Sequence, residues 1–117
     1  MVEKTIEVYK ICPYAMFEDD GIALRNMIIE DWNKNADLIF TLDFNGIAMF
    51  ATMFFNASIG WFVLHKGADE TKKRIRYTNL SKLGEETWAH SFSNAVGVAN
   101  NLEYQQYLSQ HDPADEE

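Results

Sequence analysis

The chain has 117 residues, of which 47% are hydrophobic and 14% aromatic. That is enough apolar surface to offset the entropy of folding, so an intrinsically disordered body is excluded. With 10 basic and 18 acidic residues the formal charge is −8, which offers no general attraction to nucleic acid or to anionic membranes. The lone cysteine, Cys12, excludes an internal disulfide and a zinc site built on cysteines.

Taken in chain order, residues 2–11 carry Val2, Thr5, Ile6, Val8 and Ile11 in rough alternation. This reads as a strand at a sheet edge, because charges are mixed into it. From Asp19 or Asp20 to Asn35 the period becomes helical, with Leu24, Met27, Ile28 and Trp32 on one side and the two aspartates favouring a helix start. Residues 37–44 form a nearly continuous apolar run, the pattern of a strand covered on both faces. Asn45-Gly46 makes a turn, and residues 47–50 read as a brief extended segment. A second helix is predicted from Thr52, as its N-cap, to about Lys66, with Gly67 as its C-cap. Residues 68–73 read as a polar loop and 74–80 as another strand. A long helix follows from Ser81 or Glu85, carrying Trp88, Phe92, Ala95, Val96 and Ala99, and the pattern restarts at Leu102, Tyr104, Tyr107 and Leu108.

Strands alternating with helices predict an α/β domain, a small mixed sheet of about four strands covered by helices. Residues 1–110 are expected to form that single domain, with 111–117 an acidic flexible tail. The first ten residues contain no signal-like apolar run. The apolar stretch 38–64 is interrupted by Asp43, Asn45 and Asn56, so it reads as buried elements rather than a membrane helix. A cytoplasmic location is the expectation.

Little in the sequence carries chemistry. His65, His90 and His111 stand apart from other metal-type ligands, so no metal or cofactor is expected. Cys12 reads as a buried structural thiol rather than a nucleophile. Glycines are scattered singly, without a phosphate-cradling loop or a nucleophile elbow. Small residues over 91–101 suit close packing of a helix on its neighbours. The segments 42–47 and 52–60 hold more. An acidic strand end, a tight turn and a helix beginning at a hydroxyl residue make a surface at which a phosphoryl group on Thr52 would meet a helix N-terminus.

With those residues in hand, the chain resembles the STAS-like family, relatives of the sulfate transporter and anti-sigma factor antagonist domains. The resemblance covers roughly Gly21 to Ala99: the helix around residues 24–28, then 39–47, 52–60 and 75–80 before the last helix. It implies binding rather than catalysis, through a protein partner of the histidine-kinase-like ATPase type. By resemblance this chain would itself be switched off by phosphorylation of a serine or threonine at the start of the helix after the turn. Counting from Asp43, that position is Thr52, with Ser58 a second phosphoacceptor candidate. Ala51 stands where the family carries an acidic residue, and Met53-Phe54 where it carries a small pair. The partner-binding residues implied are Asp43, Asn45, Gly46, Thr52 and Asn56. An alternative reading is a domain that holds a small anion or nucleotide at the helix N-terminus near Thr52. The methionines and aromatics also suit a homodimer patch.

Overall fold

The computed structural model describes residues 2–101 together with Gln106, Tyr107 and Ser109. Three strands, β1 (Val2–Glu7), β2 (Leu38–Asp43) and β3 (Ile75–Thr78), pair in the order β1-β2-β3, and both pairings are parallel. Among the described residues the sheet is therefore wholly parallel with three strands, rather than mixed with about four. Residues 47–50 contribute only an isolated bridge, Ala15 with Phe50.

The most apolar strand, β2, takes the centre, and β1 with its charges takes an edge, as its composition requires. Register puts Lys4 and Ile6 beside Phe40 and Leu42, and Ile75 and Tyr77 beside the same pair on the other side. Because side chains alternate along a strand, these residues share one face. Phe40 stacks on Trp32 of the first helix, and Trp32 packs against Phe62 of a later one. Helices thus lie against this face. The opposite face carries Glu3, Thr5, Arg76 and Thr78, all exposed, so β2 is not flanked by helices on both sides as its apolar run suggested. Ile39 on that side is nevertheless buried.

β1 is shorter than predicted. Residues Val8–Lys10 leave the sheet as a 3-10 turn. Val8 and Cys12 are both buried, which turns the chain off the sheet edge and into the core.

The first helix, α1 (Glu18–Trp32), begins with Glu18, Asp19 and Asp20 in its first turn, complementing the helix dipole. α2 (Thr52–Phe55), a π turn (Asn56–Gly60) and α3 (Trp61–Lys66) run on without a break. Here Gly21 allows α1 and α2 to touch: a Cβ on it would lie 2.4 Å from the Phe54 carbonyl oxygen. Gly67 ends α3 with φ +93°, a conformation open to glycine.

Residues Ala68–Arg74 form a helix, α4, where a loop was predicted. Its stability follows from charge order: Asp69 and Glu70 in the first turn, Lys72, Lys73 and Arg74 in the last. Arg74 ends α4 instead of starting the strand, and its side chain is buried. Its guanidinium donates to the carbonyls of Leu38 at 3.0 Å, Trp32 at 2.8 Å and Asn35 at 2.9 Å, and lies 3.9 Å over the Trp32 ring. One side chain therefore ties the end of α1, the start of β2 and the end of α4. The last helix, α5 (Lys82–Ala99), is capped by Ser81, whose hydroxyl accepts from the Gly84 N–H at 3.1 Å. The expected helical restart falls largely outside the described residues, as do His111 and the acidic tail 111–117.

Candidate functional site

Loops carry binding residues more often than the elements they join, and here loops leave the carboxyl ends of the three parallel strands. Those ends are Glu7, Asp43 and Thr78, all three in register. Phe44, fully buried, anchors the chain as it leaves β2. The turn that follows is held by Asp43, whose Oδ1 accepts from the Asn45 N–H at 2.9 Å and from Asn79 Nδ2 at 2.9 Å. Those two donors, Asn79 foremost, hold the Asp43 carboxyl below its usual range. Gly46 sits at φ +90°, and a Cβ there would press on the Tyr9 ring at 3.2 Å. Asn79 itself adopts φ 58°, which asparagine tolerates better than most residues.

A cavity of 260 Å³ opens at this end, lined by Glu7, Tyr9, Lys10, Asp43, Asn45 and Gly46. Three predicted partner-binding residues thus come together. Thr52 and Asn56 do not line this cavity. They lie one turn apart on the next helix, Asn56 exposed and Thr52 half-buried.

Thr52 is not the N-cap. That position is Ala51, which offers no side-chain hydrogen bond, and Thr52 is the first helical residue. The Ala51 backbone is instead fixed from outside, its N–H donating to the Ala15 carbonyl at 2.9 Å. This leaves the Thr52 hydroxyl without the capping duty assigned to it from sequence. Ser58 is 1% exposed and donates to the Phe54 carbonyl at 2.9 Å. In the folded chain that burial removes Ser58 as a phosphoacceptor.

What sequence reasoning missed is the apolar surface beside Thr52. The Ala15–Phe50 bridge joins two stretches at one point, the Ala15 N–H donating to the Met49 carbonyl at 3.0 Å and the Ala51 N–H to the Ala15 carbonyl at 2.9 Å. These two stretches expose Tyr14, Phe17, Met49 and Met53, each about half accessible. Exposed large apolar side chains grouped in this way are a mark of an interaction surface. The sequence did carry a signal, aromatic and thioether side chains crowded next to turn residues, but period alone could not say which of them face water.

The other candidates do not assemble chemistry. Cys12 is buried, and desolvation, helped by the charge of Asp20, pushes its thiol up to about 11. His65 packs on the Trp61 ring, and His90 shares a hydrogen bond of 3.2 Å with Asn94. Among the described residues no three of His, Cys, Asp and Glu converge as a metal site. No described helix is long and apolar enough to cross a membrane.

Residues 20–85, more than half of the chain, match the family described as "STAS-like domain of unknown function (DUF4325)". The chain belongs to this family. The matched stretch runs from the first turn of α1 to the first turn of α5, so it contains the Asp43 turn, Thr52 and all of β2 and β3. No curated protein and no solved structure matches the chain. The resemblance to STAS-like domains read from the helix, turn and strand spacing is therefore correct, and so is the α/β class of the fold.

Proposed function

We propose that this STAS-like domain is a non-enzymatic regulatory module that binds a protein partner through the surface around Thr52. The observation that carries this reading is the exposure of Tyr14, Phe17, Met49 and Met53 on the two stretches that meet at the Ala15–Phe50 bridge, next to Thr52 in the chain. A partner that covers it removes apolar area from water, the main favourable term in association. By family resemblance the partner is an ATPase-type kinase in the cytoplasm, and phosphorylation of Thr52 releases it.

A small anion held at the same helix start is the weaker reading. The segment 43–60 carries no lysine or arginine, and the Phe54 N–H already donates to the Ala51 carbonyl at 3.2 Å.

The test is a pull-down with the tagged full chain from the cytosol of its source, with and without ATP, read by mass spectrometry. The expected result is an ATPase-type partner retained by the native chain and released by ATP, with added phosphoryl mass on Thr52. Met53→Asp and Thr52→Glu, both folded by circular dichroism, should lose it. A partner indifferent to ATP keeps the binding module and removes the switch. A partner bound equally by native chain and both variants refutes the surface.

A further inference from the structure

A second concavity lies on the far side of the sheet from β1. It has a volume of 650 Å³ and runs between β3 and α5, with Lys72 at the end of α4. Its α5 wall presents Trp88, Phe92 and Val96, and its β3 wall Ile75, Arg76 and Tyr77. Side chains of consecutive strand residues point to opposite faces. A groove touching all three of these must therefore run along the strand's edge, not over one face.

That edge has free capacity for pairing. Among the described residues β3 pairs with β2 alone. The Thr78 carbonyl accepts from the Phe44 N–H at 3.1 Å, so Thr78, and by alternation Arg76, direct their backbone groups toward β2. Ile75 and Tyr77 direct theirs outward, into the groove. The Ile75 N–H closes α4 onto the Thr71 carbonyl. What faces the groove is the Ile75 carbonyl and both backbone groups of Tyr77.

Dimensions agree with an extended occupant. Trp88 to Val96 covers about 12 Å of helix at 1.5 Å per residue, and a strand of four residues covers about 13 Å. Charge is equally informative. In a chain of 18 acidic and 10 basic residues, the lining holds two bases, Lys72 and Arg76, and no acid. Glu85 stands near but is engaged by the Tyr77 hydroxyl at 2.9 Å. A second copy paired edge to edge about a two-fold axis would bring like charges together at Arg76. The chain's own C-terminal segment fits poorly as a strand, since Gln106, Tyr107 and Ser109 are helical.

We infer that the β3–α5 groove takes an extended peptide from another protein, one alternating apolar and acidic residues, as a fourth parallel or antiparallel strand. Its apolar side chains settle against Tyr77, Trp88 and Phe92. Its acidic ones meet Lys72 and Arg76, and its backbone bonds to Ile75 and Tyr77. This inference does not depend on the surface around Thr52.

The experiment selects a phage-displayed library of random twelve-residue peptides on the full chain, then titrates the enriched peptide into ¹⁵N-labelled protein. Enrichment of alternating apolar and acidic residues is expected, with shifts at the Ile75 and Tyr77 amides and the Trp88 indole. The Tyr77 amide should become protected from exchange. Arg76→Glu, an exposed substitution that leaves the spectrum dispersed, should weaken binding about tenfold or more. N-methylation of the peptide at alternate amides should abolish it. The inference fails if basic or patternless peptides are enriched, or if shifts map to Thr52. It fails equally if the N-methylated peptide binds as well, which would mean an apolar pocket only. Movement of residues 102–117 in Arg76→Glu without peptide would assign the groove to the chain's own tail and also overturn it.

Discussion

Replacing Arg74 with Met tests the account of how this fold is joined. Methionine keeps the length and apolar stem of the side chain and removes the guanidinium. Three carbonyls, on Trp32, Asn35 and Leu38, then lose their donor at once. The Trp32 carbonyl belongs to the last turn of α1, where the helix dipole favours a cation. Bonds to a charged donor contribute about 1.5–3 kcal/mol each, and a buried acceptor left unpaired costs about 1–3 kcal/mol. Against this stands the desolvation of a buried guanidinium, which the substitution relieves and which lowers the Arg74 pKa against the pull of Glu70 and Asp37. The net expectation is a loss of about 4 kcal/mol, a large share of the roughly 5–15 kcal/mol that holds a domain together. Melting should fall by about 15 °C. Arg74→Lys retains charge but has no planar fork to reach three carbonyls, so it should lose about half as much. Urea unfolding by circular dichroism reads both variants. A loss under about 1 kcal/mol for Arg74→Met, or none for Arg74→Lys, would refute the view that geometry rather than charge makes this joint.

Further outcomes follow at four other positions. Gly21→Ala should lower stability by about 2 kcal/mol, because helix propensity gains about 1 kcal/mol while the new Cβ collides with α2. Gly97→Ala, where a Cβ would meet nothing within 4 Å, should raise it by about 0.5–1 kcal/mol. Thermal melts that rise for both would show that α1 and α2 are not in close contact. Cys12 in the folded chain should react with iodoacetamide at pH 8 at least about a hundredfold slower than in unfolding urea, given its raised pKa. Mass spectrometry follows the adduct, and a rate within about tenfold of the unfolded chain contradicts its burial. Asp43, whose folded pKa is depressed, should contribute stability above the ordinary carboxylate pKa and lose it as pH falls through the folded value. The stability gap between the native chain and Asp43→Asn should therefore shrink as pH falls below the ordinary carboxylate value of about 4 in urea titrations. A gap that stays constant would mean the Asn45 and Asn79 bonds do not favour the charged form.

Local pattern revealed most of the elements, because each carries its own period or end signal. The apolar run 37–44 placed the central strand, Asp19-Asp20 the start of α1, and Asn45-Gly46 the turn, which the structure realises with φ +90° at Gly46. What stayed hidden depends on distant partners. α4 has seven residues and no apolar stripe, and only the order of its charges marks it as a helix. Arg74 looked like the first residue of a strand because its partners lie 36 to 42 residues earlier. Thr52 looked like a cap because hydroxyl residues commonly are, yet Ala51 takes that place, fixed by Ala15 across the bridge. The π turn left no mark either, and it buries Ser58, a small residue at a packing position that had also stood as the second phosphoacceptor candidate. Of the candidate site, the turn at Asp43 was legible as a unit. The apolar surface beside Thr52 was not, since exposure of Phe17, Met49 and Met53 is decided by tertiary packing.

The charge around Thr52 determines how a phosphoryl group there would act. α1 and α2 touch where Gly21 meets Phe54, within a turn of both helix starts. The first turn of α1 holds Glu18, Asp19 and Asp20, so Thr52 stands beside an acidic helix start. No lysine or arginine lies in residues 43–60 to receive a phosphate. A phosphate on Thr52 would therefore have no cation on its own segment to pair with. It would add close to two negative charges to an already acidic, apolar surface and oppose desolvation by a partner. Release by repulsion and hydration has a signature that release by rearrangement lacks, because exposed charges are screened by salt. Thr52→Glu should accordingly recover part of its lost partner affinity between about 0.05 and 0.5 M NaCl, whereas Met53→Asp, which also interrupts the apolar contact, should recover less. Equal recovery, or none for either, would mean that charge at Thr52 is not what separates the bound from the released state.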